Sequence, residues 1–364
     1  MGLGNQALDW LCIMIKENAN IKIVRSSIGR LSSISQESGE AILAVLSKYF
    51  SDVELVIVNN YIDLELLVLS CPDLVFLGME YVAANNSTDL FEDKIWVSDY
   101  LDLHGVTYTG SGRIAHENGR HKQLAKQLIL DAGLKSSAFR VIGKDQWLDV
   151  NDLNLVYPLF IKPTNRGGGL GIDSDSVAHN YEQLDTKVRS IISNYQCDVL
   201  VEEYLPGREF SVAILKDIVS DEYLAMPIEL VAPADINGNR LLGKQVKSSN
   251  AEQAFMVIDG TVKSSVCSLA LEVFRTLGAR DYGRIDIRLD ATGAPHFLEA
   301  NLIPSLISGY GSFPKACVLN TDMEHEAMIV TIARLGLARA PLDSLLDNSE
   351  TSSTPNFTPI ALPI

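Results

Sequence analysis

Two short strands late in the sequence carry polar side chains at alternate positions. Residues 283–301 read GRIDIRLDATGAPHFLEAN. Alternate residues of a strand share one face, so a hairpin about ATGA brings polar side chains of both strands together. If Asp290 pairs with Pro295 across this loop, Asp286 lies directly opposite Glu299. This register predicts two carboxylates side by side on one face of the hairpin.

The same register puts Arg284 opposite Asn301, one pair further along the same face. Two acids and an amide this close together are unfavourable unless a cation lies between them. Their hard oxygen atoms suit Mg²⁺, which takes its other ligands from water and phosphate. Arg284 could then face an anion held by the metal. The alternative is an ordinary solvated hairpin face on which acids lie near an arginine.

A glycine-rich loop follows an earlier apolar strand in the stretch PLFIKPTNRGGGLGI. Lys162 ends the strand, and four glycines follow it: Gly167, Gly168, Gly169 and Gly171. Glycines let backbone amides wrap around a phosphate, and a lysine at the base of the loop adds a charge for the same anion. The Walker A spacing GxxxxGK[ST] is absent from the sequence. A flexible glycine hairpin without a ligand is the alternative.

A third segment, DVLVEEYLPGREFSVAIL, joins two apolar strands through an acidic turn. Glu202 or Glu203, with the backbone of the turn, could bind the edge of an adenine. Glu209 could accept hydrogen bonds from ribose hydroxyls. A plain hairpin with acidic edges is the simpler reading of this piece alone. The order of phosphate loop, acidic turn and metal hairpin nevertheless predicts a nucleoside-triphosphate site.

The elements that would position these residues indicate a mixed α/β protein of two or three domains. Short apolar runs alternate with helical spacing up to about residue 112, which predicts an open parallel sheet. Antiparallel strands are expected from YPLFIKP onward. The chain has 364 residues and a formal net charge of −16, so nucleic acid is an improbable partner. The absence of an 18-residue apolar run argues against a membrane span, and five scattered cysteines suggest a reducing cytoplasm.

With these motifs the sequence resembles the ATP-grasp superfamily, and within it the D-alanine–D-alanine ligases. The resemblance covers roughly residues 100 to 340 and depends most on VEEYLPGREFSVAIL and on the hairpin with LEANLIP. It implies an N-terminal α/β domain followed by two ATP-grasp subdomains that enclose ATP. The expected boundaries are 1–112, 113–205 with the glycine-rich lid, 206–342 with the metal site, and a flexible tail at 343–364.

The resemblance also implies roles for individual residues. Lys126 and Lys162 would contact phosphates, the glycine loop would close over them, Glu202 or Glu203 with the backbone of Leu205 would hold adenine, and Glu209 would hold ribose. Asp286, Glu299 and Asn301 would hold two Mg²⁺ ions, with Mn²⁺ able to substitute. Arg284 would stabilise the transferring phosphoryl group. Lys244 would contact the γ-phosphate, with Lys247 as the fallback.

The implied reaction joins a carboxylate to an amine with ATP, through an acyl phosphate. The substrate positions depart from the family. Ser33 stands where a glutamate anchors the first ammonium, Ser305 replaces an oxyanion-site glycine, and Tyr310 replaces a serine that grips the second carboxylate. The family segment HGxxGEDG is also absent. These departures predict amino-acid or carboxylate substrates other than two D-alanines, in the biosynthesis of a small peptide or secondary metabolite.

Three alternatives stay open at this stage. The chain could be a D-alanine–D-alanine ligase of peptidoglycan synthesis with altered loops. It could be a nucleotide-binding regulator with an inactive site, or an enzyme that transfers the acyl group to a non-amine acceptor. Homodimerisation is a further expectation from the resemblance.

Overall fold

The structure is a computed structural model that describes residues 17–29, 31–83, 94–146 and 153–339. The predicted flexible tail at 343–364 lies outside the described residues. Within those ranges, no helix is both long and apolar enough to cross a membrane.

The N-terminal part is built on a parallel sheet, as the apolar runs predicted. Its strands are β1 (Glu17–Arg25), β2 (Phe50–Ile57) and β3 (Leu74–Leu77), in the order β2-β1-β3. Helix α1 (Gln36–Tyr49) connects β1 to β2, and α2 (Tyr61–Leu69) connects β2 to β3. Each helix begins where a side chain accepts from free backbone N–H groups: Ser35 caps α1 and Asn60 caps α2. A small antiparallel pair, β4 (Tyr81–Ala83) and β5 (Lys94–Trp96), and helix α3 (Val97–Leu103) complete this part.

The central part carries the glycine-rich loop. Helices α4 (Arg113–Arg120) and α5 (Lys122–Asp131) lead into it. Its antiparallel strands are β6 (Phe139–Ile142), β7 (Leu159–Pro163), β8 (Val177–Ala178) and β9 (Val199–Glu203), in the order β6-β9-β7-β8. Helix α6 (Tyr181–Tyr195) packs on this sheet and covers an apolar core of its own.

The C-terminal part is a five-stranded antiparallel sheet that carries the metal hairpin. Its strands are β10 (Glu209–Lys216), β11 (Tyr223–Val231), β12 (Gln253–Met256), β13 (Tyr282–Leu289) and β14 (Pro295–Asn301), in the order β12-β11-β10-β13-β14. Its helices are α7 (Lys244–Ser248), α8 (Gly260–Thr276), α9 (Ser312–Thr321) and α10 (His325–Leu337). Helix α8 begins at the cap Asp259, whose carboxylate accepts from two backbone N–H groups.

The N-terminal and C-terminal sheets share one apolar core. Helix α10 packs against α1 and β3, so the end of the described chain returns to the first sheet. Side chains such as Ile23, Phe76, Tyr282 and Ile329 belong to the same buried cluster. The shared core fixes the N-terminal loops relative to the hairpin, and the site is built between them.

The predicted hairpin register is wrong next to the loop and correct at the polar residues predicted to bind the metal. Leu289, not Asp290, pairs with Pro295. An irregularity in the register then follows, and beyond it Asp286 lies opposite Glu299 as expected. Asp290 is instead drawn into the turn, where its carboxylate accepts from the backbone N–H groups of Thr292 and Ala294.

Candidate active site

Polar and charged side chains line a cavity of about 660 Å³ where the three parts of the chain meet. The hairpin forms one wall, the glycine-rich loop and the start of α5 form a second, and N-terminal loops form a third. A smaller cavity of about 80 Å³ adjoins it beneath the acidic turn. Glu299, Asp286 and Lys247 line both cavities, so the two are parts of one site.

The hairpin face holds Arg284 and Asp286 as a two-point ion pair. Arg284 donates from Nε to Oδ1 of Asp286 at 3.0 Å and from its terminal nitrogen to Oδ2 at 2.9 Å. Ser211, on the neighbouring strand β10, donates to the same carboxylate at 2.8 Å. Asn301 lies opposite Arg284. The strand register therefore brings together all four side chains that the sequence predicted.

Glu299 carries its negative charge in a cationic setting. Burial raises its pKa, but the nearby ammonium groups of Lys122, Lys247 and Lys162 outweigh burial and lower the pKa to about 2. The closest of them, Nζ of Lys122, lies 3.7 Å from the carboxylate. Glu299 is consequently ionised at neutral pH.

This donor set fits Mg²⁺. Within the described residues no group of three His, Cys, Asp or Glu side chains could hold a metal on its own. Two opposed carboxylates and the amide of Asn301 are instead present on one face. Hard oxygen donors of this kind, few in number and next to open space, match a cation that keeps water and phosphate ligands. Asp286 would have to exchange part of its contact with Arg284 for the metal.

Lys126 and Lys162 converge on one buried carboxylate. Nζ of Lys126 lies 2.8 Å from Oε2 of Glu202, and Nζ of Lys162 lies 2.6 Å from Oε1. Burial raises the pKa of Glu202, but the two ammonium groups prevail and lower it to about 2. Lys126 is fully buried, so it is not a solvated helix lysine.

Lys122, which precedes Lys126 by one turn of α5, is not among the predicted site residues. Its Nζ donates to the backbone carbonyl of Arg166 in the glycine-rich loop at 2.7 Å. Of the two lysines, Lys122 is the one among the residues lining the 660 Å³ cavity. The spacing of four residues could have pointed to Lys122, because it puts both lysines on one side of the helix. The spacing does not show which of the two is buried.

The glycine-rich loop is closed against the segment before α7. Gly169 has φ +74°, and a Cβ there would lie 2.7 Å from backbone atoms of Gly243 and Lys244. The carbonyl of Gly169 also accepts from the backbone N–H of Lys244 at 3.0 Å. Gly167 and Gly168 line the central cavity. Glycine at position 169 is therefore required both by conformation and by close packing.

Lys244 and Lys247 lie on different sides of this contact. Lys247 lines the central cavity, whereas Lys244 and Gly171 line a separate cavity of about 870 Å³ behind the loop. The fallback residue is thus the one that the geometry favours for phosphate contact.

The smaller cavity contains the predicted nucleoside residues. Leu205, Glu203 and Glu209 line it, together with Glu202 and Tyr204. Glu209 accepts from Arg288 at 2.9 Å, and burial raises its pKa. Glu203 accepts from the backbone N–H of Val156 at 3.1 Å. The adenine and ribose roles of these residues stay predictions.

The opposite end of the central cavity holds the residues that depart from the family. Ser33, Ser305 and Tyr310 all line it. Glu80, which is not among the predicted site residues, also lines this end, and its carboxylate lies 2.6 Å from Arg120. The backbone N–H of Ser33 donates to the carbonyl of Gly78 at 2.8 Å, so the two loops run side by side.

The fold and this arrangement define an ATP-grasp protein. A D-alanine–D-alanine ligase of Bacillus anthracis, solved as a complex with ATP, superposes with a TM-score of 0.69 at 18% identity, over 89% of this chain and 98% of that one. The family described as D-ala D-ala ligase C-terminus matches residues 128–334, and the chain belongs to that family.

Two curated relatives show the extent of the sequence similarity. An uncharacterized protein of Sinorhizobium fredii, y4sG, is 31% identical over 57% of this chain and 60% of its own length. A D-alanine–D-alanine ligase of Bordetella petrii is 33% identical over 57% of this chain and 62% of its own length. The alignments thus span about three fifths of these relatives.

Proposed function

We propose that this protein is an ATP-dependent carboxylate–amine ligase that joins amino acids through an acyl-phosphate intermediate and releases ADP. The observation that carries the proposal is the pairing of Asp286 with Glu299 beside Arg284, on the wall of a cavity covered by a glycine-rich loop. Family membership supports the same chemistry.

In the first step a substrate carboxylate attacks the γ-phosphorus of ATP, and ADP leaves with the electron pair of the broken bond. In the second step an amine attacks the acyl carbon, phosphate departs, and the amine loses a proton. Phosphoryl transfer needs positioning and neutralisation of charge more than covalent participation by the protein. Arg284 would supply fixed positive charge where negative charge develops.

Lysines on three elements would neutralise the triphosphate. Lys122 on α5 and Lys247 on α7 line the central cavity, and Lys162 on β7 lines the smaller cavity beside it, so the three lysines approach the same region from different elements. Asp286, Glu299 and Asn301 would hold Mg²⁺. When bound, Mg²⁺ polarises phosphoryl oxygens and neutralises developing charge.

The glycine-rich loop would exclude water from the acyl phosphate, which otherwise hydrolyses. Its contacts through Gly169 to the segment before α7, and through Arg166 to Lys122, close it over the cavity. Ser305 would contribute its backbone N–H to the oxyanion of the second step.

The substrate end supports amino acids other than two D-alanines. Glu80 offers a carboxylate where Ser33 cannot. One of its oxygens binds Arg120, and the other lies 3.7 Å from Nδ1 of His116. Burial lowers the pKa of His116, so this imidazole is neutral at pH 7 and leaves that oxygen able to accept from a substrate ammonium. Tyr310 would shape the acceptor position.

The second candidate is a D-alanine–D-alanine ligase, which the names of several relatives favour. The protein would then reach the same substrates through a different carboxylate. We further propose that it acts in the cytoplasm, where ATP is available, and that it forms a homodimer.

Hydroxylamine trapping tests the proposed reaction. The full chain is incubated with ATP, Mg²⁺, a panel of amino acids and hydroxylamine, which converts an acyl phosphate into a hydroxamate and phosphate. We expect hydroxamate and ADP in equal amounts with at least one acid, and loss of both in Asp286→Asn. ADP release without hydroxamate, or no release with any acid, would contradict the proposal.

A further inference from the structure

The buried group formed by Lys126, Glu202 and Lys162 contains one more lysine than its carboxylate needs. Lys126 is the deeper of the two. It also donates to the hydroxyl oxygens of Ser136 and Ser137, both at 3.0 Å. With Glu202 and the backbone carbonyl of Phe297, which accepts at 3.4 Å, the ammonium has more acceptors within the protein than its three protons need.

Lys162 is held differently. Within this group Lys162 contacts Glu202, through an ion pair of 2.6 Å. Lys162 also lines the smaller cavity. It also belongs to the cations whose charge acts on Glu299 across the site. Lys162 is thus placed between a buried carboxylate and the region where phosphates are expected.

An ionised carboxylate in the interior must keep a cationic partner. Removing the only partner of such a group is strongly destabilising, so a single lysine could not leave Glu202 for a phosphate without a large penalty. With Lys126 in place, Glu202 remains paired when Lys162 departs. The hydroxyl of Ser137, which donates to Oε2 of Glu202 at 3.0 Å, holds the carboxylate in position.

We propose that Lys126 is a positioning residue that neutralises Glu202 and thereby releases Lys162 to bind the phosphates of the nucleotide. The inference rests on the proposed function, because it requires a triphosphate in this site. It assigns Lys126 no direct contact with ATP. In the structure Lys162 is paired with Glu202, and binding of the nucleotide would move it to the phosphates.

The test compares two ligands of the full chain by calorimetry, ATP with Mg²⁺ and adenosine, in the absence of any acid substrate. The measured quantity is the ratio of the adenosine Kd to the ATP Kd, which isolates the phosphate contribution. In Lys126→Met, Lys162 is the remaining partner of Glu202, so we expect this ratio to fall about tenfold. A merely structural defect would weaken both ligands and leave the ratio unchanged.

A double variant provides the matched control. Without the carboxylate nothing retains Lys162, so Lys126→Met combined with Glu202→Gln should restore the ratio to the wild-type value or above it. The single variant Glu202→Gln should raise the ratio above wild type, and this arm does not depend on whether Lys126→Met folds.

Each remaining outcome overturns the inference. These outcomes are an unchanged ratio in folded Lys126→Met, a fall that the double variant does not reverse, and a ratio in Glu202→Gln that does not rise. If the wild-type protein binds adenosine but gains nothing from the phosphates, the inference fails while nucleoside binding stands. If it binds neither ligand, the proposed function fails and the inference with it.

Discussion

The two ends of the site, one with the residues predicted to bind the nucleotide and the other with those predicted to bind the substrates, are built in different ways. At the nucleotide end, charged side chains from separate elements are buried and already paired, as Glu202 is with two lysines. At the substrate end, Ser33 and Tyr310 are exposed and lie on loops. The nucleotide end keeps the motifs of its family, and the substrate end departs from them. Buried charge networks tolerate little change, because removing one member leaves another unpaired, whereas loop residues can change at small cost.

The largest effect should come from the hairpin that both ends share. Glu299→Gln removes a charge expected to hold Mg²⁺, and we expect ADP formation to fall by roughly a hundredfold or more. Steady-state ADP release measures this. Glu222→Gln, at an exposed position remote from the cavity, is the matched control and should keep full activity. Comparable rates in the two variants would remove the hairpin from the chemistry.

Acid should reveal the buried pairing at the nucleotide end. The pKa of Glu202 falls from 4.5 to about 2 on folding, so its stabilisation is fully present above pH 4.5 and is lost as the pH falls towards 2. Because of this shift, Glu202→Gln should lose up to about 3 kcal/mol of unfolding free energy at pH 7.

Urea unfolding at pH 7 and at pH 3.5 checks this expectation. The difference in midpoint between wild type and Glu202→Gln should shrink at the lower pH. A difference that stays constant, or that grows on acidification, would show that the two lysines do not depress the pKa of Glu202.

The lid offers a comparison within a single loop. Gly169→Ala places a methyl group against the backbone of Gly243 and Lys244 at positive φ, so the closed loop should be strained and turnover should fall about tenfold. Gly167→Ala meets nothing within 4 Å and should leave turnover nearly unchanged. Hydroxamate formation in the trapping assay measures both. Equal losses would mean that closure does not depend on the contact at position 169.

At the substrate end the expected effect is confined to binding of one substrate. Glu80→Gln should raise about tenfold the KM for the first amino acid, the one whose carboxylate is phosphorylated, and should change kcat little. The substitution removes a charge that binds this substrate but lies far from the transferring phosphoryl group. Ser33→Ala, in the adjacent loop, should leave this KM nearly unchanged. A larger effect of Ser33→Ala would place the ammonium at the first loop instead.

The sequence predicted the hairpin well because alternation along two strands is a local property. The paired register of Asp286 with Glu299 survived an error at the turn, since the irregularity between them and the loop shifted the count back by one residue. Asp290 accepts hydrogen bonds from backbone N–H groups of the turn. Spacing alone could not show whether it belongs to the strand or to the turn.

Features that depend on contacts between residues far apart in the sequence could not be predicted in the same way. Lys122 and Lys126 have the same spacing on their helix, and only the packing of α5 on β14 and on the segment at Ser136 decides which one is buried. Glu80 escaped notice because its place beside Ser33 depends on backbone contacts between two loops that are far apart in sequence.

The most direct test of the proposed ligase activity is a screen of purified protein with ATP, Mg²⁺ and all pairs of D- and L-amino acids, read as ADP release and as product mass. We predict that ADP release requires a pair of amino acids, that the product is a condensed dipeptide or amide, and that a pair other than two D-alanines gives the fastest release. If D-alanine alone stimulates ADP release, the two ends of the site do not differ as described. If no pair does, the proposed ligase chemistry is wrong.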